Sequence, residues 1–218
     1  MKVLSGSDQV HGGTLRVAPD GDKLLLSSWF GDTVQIWDPA THAAVATYTD
    51  FAVPLNAIRF QGDLVVAELR SGSVVRARGA NPSERATLAT GLSVPAGLAA
   101  TEDDLWVSEW ASGRVLQLVA DGQPLPEPHV VATGLTAPEG LAVASDGSLL
   151  VVESAAGRLA RIDLRLGRIS TVADGQALGA PGIPGLPPTW MFNGVAVGPS
   201  GAIYVSGDRA NVLYCCPA

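Results

Sequence analysis

The chain has 218 residues, 47% of them hydrophobic and only 16% charged, with 25 glycines. That is the composition of a sheet-rich globular protein with a sizeable core, and it excludes a disordered or low-complexity segment. The formal charge of −7 argues against nucleic acid, whose backbone recruits Lys and Arg, and against anionic membrane surfaces. The opening "MKVLSGSDQV" lacks the apolar core of a secretory signal and no run reaches transmembrane length. The expectation is therefore a cytoplasmic protein as written, with an exported parent left open.

In chain order, residues 2–5 ("KVLS") resemble a lone strand, and a repeated phrase follows. Its parts are an apolar strand, a D/G turn, a second apolar strand ending in Glu or Ser, a short turn with Gly, and a third strand. The copies are "LRVAPDGDKLLLSSWFGDTVQIWD" from Leu15, "IRFQGDLVVAELRSGSVVRAR" from Ile58 and "LAATEDDLWVSEWASGRVLQL" from Leu98. Two more are "LAVASDGSLLVVESAAGRLARID" from Leu141 and "VAVGPSGAIYVSGDRANVLY" from Val195. A fourth strand follows the first four copies, in "HAAVATYT", "RATLATGL", "HVVATGL" and "GRISTVAD". The starts lie 43, 40, 43 and 54 residues apart, and a period in the forties with four strands per copy is the signature of propeller blades.

The expected fold is thus all-β: one β-propeller domain over 1–218 with five four-stranded blades, the last closed by residues 2–5 so that no sheet edge is left open. A larger propeller shared with further chain, or completed by another subunit, is the alternative, and monomer against homo-oligomer is left undecided. The long step before the fifth copy is "DGQALGAPGIPGLPPTWMF", residues 174–192, a Gly/Pro stretch whose length points to a functional loop or a disordered one, and whose aromatic end, Trp190 to Phe192, suggests a lid over the channel mouth.

In an antiparallel hairpin the residue that begins the first strand lies beside the residue that ends the second. The starting positions are Gly13, Asn56, Ala96, Glu139 and Asn193; the ending positions are Ser28, Glu68, Glu109, Glu153 and Ser206. Both sets face one mouth of the channel, the first set nearest its axis. Two like charges about 4 Å apart cost roughly 4 kcal/mol at an effective dielectric near 20, so crowded carboxylates call for a cation or an arginine. Asn56, Glu139 and Asn193 offer oxygens suited to a hard divalent cation, calcium above all. Glu68, Glu109 and Glu153 are the candidate proton acceptors. A purely structural account stands beside this one: Asn is common turn chemistry at strand starts, and Arg114 and Arg158, five residues after Glu109 and Glu153, could pair with them across a hairpin.

Cys215 and Cys216 are adjacent, too close for an unstrained disulfide, and His11, His42 and His129 are scattered, so neither residue type builds a metal site. No G-x-S-x-G elbow is present, which excludes an α/β-type serine hydrolase.

"FNGVAVGPSGAIYVS" (192–206) and "PEGLAVASDGSLLVVES" (138–154) resemble the senescence marker protein/gluconolactonase and paraoxonase group together with strictosidine synthase-like proteins. In the hydrolytic members a divalent cation sits in the channel on Asn and Asp or Glu at the strand-start position, which implies Asn193, Glu139 and Asn56 here. Ala96 and Gly13 depart from that pattern, as do five blades where the group has six. "LWVSEWASGRVLQLVADGQ" (105–123) and "LLVVESAAGRLARID" (149–163) resemble equally the virginiamycin B lyase-like propellers, which open a cyclic ester by elimination with a metal, a His and a Glu. The matching pair here is Glu139 and Glu153, so the His is missing. The leading expectation is a metal-dependent hydrolase of small esters or lactones. A non-catalytic binding propeller is the alternative and a lyase the third reading.

Overall fold

The structure is a computed structural model that describes residues 14–78, 84–182 and 192–216. The first two sheets are β1 (Thr14–Asp20), β2 (Lys23–Ser28), β3 (Thr33–Asp38), β4 (Ala43–Tyr48) and β5 (Pro54–Phe60), β6 (Asp63–Glu68), β7 (Ser73–Ala77), β8 (Arg85–Ala89). The third holds β9 (Pro95–Ala100), β10 (Leu105–Glu109), β11 (Arg114–Ala120), β12 (Gln123–Ala132), and the fourth β13 (Pro138–Val143), β14 (Leu149–Glu153), β15 (Arg158–Asp163), β16 (Arg168–Ala173). The fifth, β17 (Val195–Val197), β18 (Ile203–Gly207), β19 (Val212–Cys216), has three strands among the described residues. Each strand hydrogen-bonds to the next in sequence, so every sheet is a meander. Residues 2–5, expected to supply the fifth sheet's fourth strand, and Gly13 lie outside the described residues. Among the described residues helix is confined to one 3-10 turn, Ser154–Ala156, and no helix is long and apolar enough to cross a membrane.

The chain divides into two compact units, Met1–Pro95 and Ala96–Ala218. In the first, Leu25, Val34 and Tyr48 of one sheet pack with Ala57, Leu64 and Val66 of the next. In the second, β14 serves two cores. Leu149 and Val151 face Ala99, Trp106 and Val115 of the third sheet, whereas Leu150 and Val152 face Ile203 and Val205 of the fifth. This is why "LLVV" shows no polar alternation: a strand covered on both faces needs an apolar residue at every position. Each such side chain, fully removed from water, contributes about 1.5–3 kcal/mol. Fourth strands are the opposite case; β16 is exposed at its first four residues.

The turn from second to third strand ends on a left-handed residue in all five sheets: Asp32, Gly72, Gly113, Gly157 and Asn211, with φ between 51° and 66°. Only Gly, Asn and Asp occupy this position, the residue types that tolerate it best. In three sheets the same glycine accepts a backbone bond from the segment leaving the fourth strand: Leu92 N–H to Gly72 O (2.9 Å), Leu135 N–H to Gly113 O (3.0 Å) and Gln176 N–H to Gly157 O (2.8 Å). A Cβ at Gly113 would lie 2.2 Å from Leu135 O, so close approach as well as conformation selects glycine there.

Candidate functional site

The second strands do end on carboxylates, and each is held by bonds to its own loops. Glu68 Oε1 accepts from Ala52 N–H (3.0 Å), and its Oε2 from the hydroxyls of Ser71 (2.7 Å) and Ser73 (3.0 Å). Glu153 Oε1 accepts from Thr136 N–H (2.8 Å) and its Oε2 from Arg158 Nε (2.5 Å). Glu109 Oε2 accepts from Arg114 Nε (2.6 Å) and Ser112 Oγ (2.7 Å). All three are buried. The pattern is one device used three times: a buried carboxylate ties the incoming loop, or the following turn, to the end of its strand.

The register corrects one expectation. Glu109 pairs with Arg114 and Glu153 with Arg158, and the residue so placed in the fifth sheet is Gly207, opposite Val212, rather than Ser206. The cause is that Val205 lies opposite Val195 just as Val151 lies opposite Leu141, which moves the strand end one residue on. Ser206 instead accepts Gly194 N–H at 2.7 Å through its hydroxyl. Ser108, next to Glu109, does similar work: its hydroxyl accepts Gly97 N–H (2.8 Å) and donates to Glu139 O (2.7 Å).

Of the strand-start residues, Asn56 is buried on β5 in the first unit, and Ala96, on β9 in the second, has no ligating side chain. Glu139 and Asn193 come together in the second unit, both fully buried. Glu139 Oε2 accepts from Asn193 twice, from its backbone N–H at 2.8 Å and its Nδ2 at 2.9 Å. The contact is permitted by glycine: a Cβ on Gly140 would lie 2.7 Å from Val195 N and 2.8 Å from Gly194 Cα. A Cβ on Gly97 would come within 2.1 Å of Glu139 O. Small residues after the strand-start position thus let β13 pack directly on β10 and β17.

With Nδ2 committed to Glu139, the carboxamide orientation of Asn193 is set, and Oδ1 accepts the N–H of Asp208 at 3.3 Å. Asp208, the residue after β18, is half-buried. Its Oδ2 accepts Ala180 N–H at 2.8 Å, and its Oδ1 is buried with no hydrogen-bond partner. Sequence reading missed Asp208 because the other copies carry their acid on the strand end, as in "VSEW" and "VVES", and this copy reads "VSGD". Ala180 belongs to the Gly/Pro stretch expected to cover the channel mouth. Its described part, 174–182, is fastened at Ala180 and again by Ala177 N–H to Tyr214 Oη (2.9 Å). Residues 183–191 of that stretch, Trp190 included, lie outside the described residues.

By donor type the Glu139–Asn193 pair offers a hard divalent cation a buried carboxylate and a carboxamide oxygen whose orientation is fixed. Among the described residues no group of three or more His, Cys, Asp and Glu is assembled, so any such ion would need the asparagine.

Comparison with solved structures assigns the class. The chain is similar to virginiamycin B lyase of Staphylococcus aureus, with TM-score 0.62 and 13% identity over 93% of this chain and 69% of that one. It is also similar to a calcium-binding protein, regucalcin, of Agrobacterium tumefaciens, with TM-score 0.60 and 16% identity over 88% of this chain and 68% of that one. A structure described as a nidogen/laminin complex matches at TM-score 0.72 and 13% identity over 90% of this chain and 72% of that one. At these identities the likeness shows the fold, and that fold is a β-propeller whose five sheets are its blades. No family model matches the chain, and no curated protein matches it by sequence.

Proposed function

We propose that this propeller is a divalent-cation-dependent hydrolase of small, uncharged esters or lactones, with calcium the preferred ion. The observation that carries the reading is the fully buried Glu139 carboxylate joined to Asn193 by two hydrogen bonds, the acid and amide that the sequence places at successive blade starts. The calcium-binding regucalcin and the lyase among the fold neighbours lend support. Glu139 would hold the cation by charge, and Asn193 would present its carboxamide oxygen. When bound, such an ion polarises a carbonyl oxygen and acidifies a water. Glu68, Glu109 and Glu153 are engaged by the bonds described above. Their engagement favours a stabilising task, and the reading rests on Glu139 and Asn193.

The test is hydrolysis of a panel of aryl esters and lactones by purified protein, before and after chelation, with product masses recorded. A hydrated product whose formation stops on chelation and returns with one cation is the expected result. An unsaturated product in place of a hydrated one would transfer the assignment to a lyase. Absence of turnover with every substrate and cation would favour a non-catalytic binding propeller.

A further inference from the structure

The fifth sheet differs from the fourth in what its two faces meet. Val205 lies opposite Val195 as Val151 lies opposite Leu141, so Tyr204 and Ser206 occupy the register positions of Leu150 and Val152. Leu213, opposite Ser206, occupies that of Leu159, opposite Val152. In the fourth sheet these three positions are 0% exposed and pack with Ile203 and Val205. Their counterparts in the third sheet, Trp106, Ser108 and Val115, are buried as well. In the fifth sheet Tyr204 is 37% and Leu213 66% exposed, and Ser206 is half-buried. Ala196 and Cys215, which flank Tyr204 in the register, are exposed too, and alternation puts all five side chains on one face. The opposite face, with Ile203, Val205 and Tyr214, is the one already packed on the fourth sheet.

We infer that this face is a homodimer contact, covered by the same face of a second copy across a twofold axis; the inference is independent of the cation reading. Charge selects that occupant. Ala196, Tyr204, Ser206, Leu213 and Cys215 are all uncharged in a chain of net charge −7, so two copies meet there with the least mutual repulsion. Shape agrees: a sheet face packs well on another sheet face, and a twofold axis supplies one of identical chemistry. A head-to-tail contact would instead need the face of the first sheet that points away from the second. That face is already closed at Leu26, Gln35 and Trp37, which alternate with the inward-packed Leu25, Val34 and Ile36. Three short strands about 4.8 Å apart, rising about 3.4 Å per residue, give a planar footprint of roughly 200 Å². A standard interface takes about 800 Å² from each partner, so the dimer is a weak, reversible one that forms with rising concentration.

The experiment is sedimentation velocity of the whole chain under reducing conditions, from about 5 to about 500 μM, for wild type, L213E and V45E. Leu213 is exposed, so L213E leaves the core untouched, and thermal unfolding verifies that each variant is folded. V45E puts the same charge on a valine of β4 that is 51% exposed and far from the fifth sheet in sequence. Wild type is expected to pass from monomer to dimer across this range. L213E, which sets like charges against each other across the axis, should weaken the dimer at least about tenfold, and V45E should match wild type. Alkylation of Cys215 by N-ethylmaleimide, read by peptide mass spectrometry, supplies a second measure: it should slow as wild type dimerises and stay fast in L213E. A wild type that remains monomeric at every concentration would overturn the inference and leave the face to a different occupant. Dimerisation of L213E equal to that of wild type, or equal weakening in V45E, would place the contact elsewhere. A mass that climbs past the dimer would mean head-to-tail growth and overturn the twofold arrangement.

Discussion

Replacing Arg158 by Ala tests whether the strand-end carboxylate of Glu153 is scaffold. The Glu153 side chain is 0% exposed and that of Arg158 33%, with Nε 2.5 Å from Oε2. The substitution leaves a buried carboxylate with one remaining donor, Thr136 N–H. Removing one partner of a buried pair costs about 3–5 kcal/mol, and a single charge-assisted hydrogen bond is worth about 1.5–3 kcal/mol. Because a third of the arginine faces solvent, water can enter the space it leaves, and the lower part of that span applies, about 2–3 kcal/mol. For a chain of this size that corresponds to a fall of about 5–10 °C in Tm. Urea unfolding supplies the measurement, with R161A as the internal control: Arg161 pairs with Asp146, which is 58% exposed, so its loss should cost less than about 1 kcal/mol. A loss below about 0.5 kcal/mol for R158A, or equal losses for the two variants, would refute the scaffold assignment and return Glu153 to the list of reactive groups.

Two further outcomes follow from the packing and the charges. G97A places a methyl 2.1 Å from Glu139 O and 2.9 Å from Ser108 Oγ, so it should destabilise by about 1–3 kcal/mol or more in urea unfolding and displace the strand that carries Glu139. The Arg59 guanidinium hydrogen-bonded to Asp20 holds that carboxyl below the usual carboxylate range, against partial burial. The folded pKa is thus lower than the unfolded one, so this pair's contribution is complete above about pH 4 and is lost as pH falls through the folded value. Acid unfolding of D20N, followed by far-UV circular dichroism, should show a flatter stability profile below about pH 4 than wild type.

The blade repeat was legible because each copy restates the same chemistry: D/G turns between apolar runs, then an acid at a strand end. The Glu139–Asn193 contact was legible too, since both stand at the same register of neighbouring copies. Other features were hidden for physical reasons. The strand β12 runs from Gln123 through Pro124, Pro126 and Pro128, where the sequence suggested a strand only from His129. Proline lacks a donor but is tolerated on an edge strand, and β12 is the outermost of its sheet. Val53, Val94 and Ala137 each precede a proline and have φ of 60°, 61° and 51°. Residues before proline are ordinarily extended, so nothing in the sequence announced three equivalent left-handed entries to first strands. Asp208 was hidden by its place two residues beyond Ser206, and a single backbone hydrogen bond ties it to Asn193.

Thermal unfolding of chelated protein with and without added Ca²⁺, for wild type and E139Q, addresses the central claim most directly. A ligand that binds only the folded state stabilises it by about 2.7 kcal/mol at one hundred times its Kd, which for this chain length is a rise of about 5–10 °C in Tm. The account predicts that rise in wild type and its absence in E139Q. A wild-type Tm that calcium and magnesium leave unmoved, or an equal rise in both proteins, would contradict it.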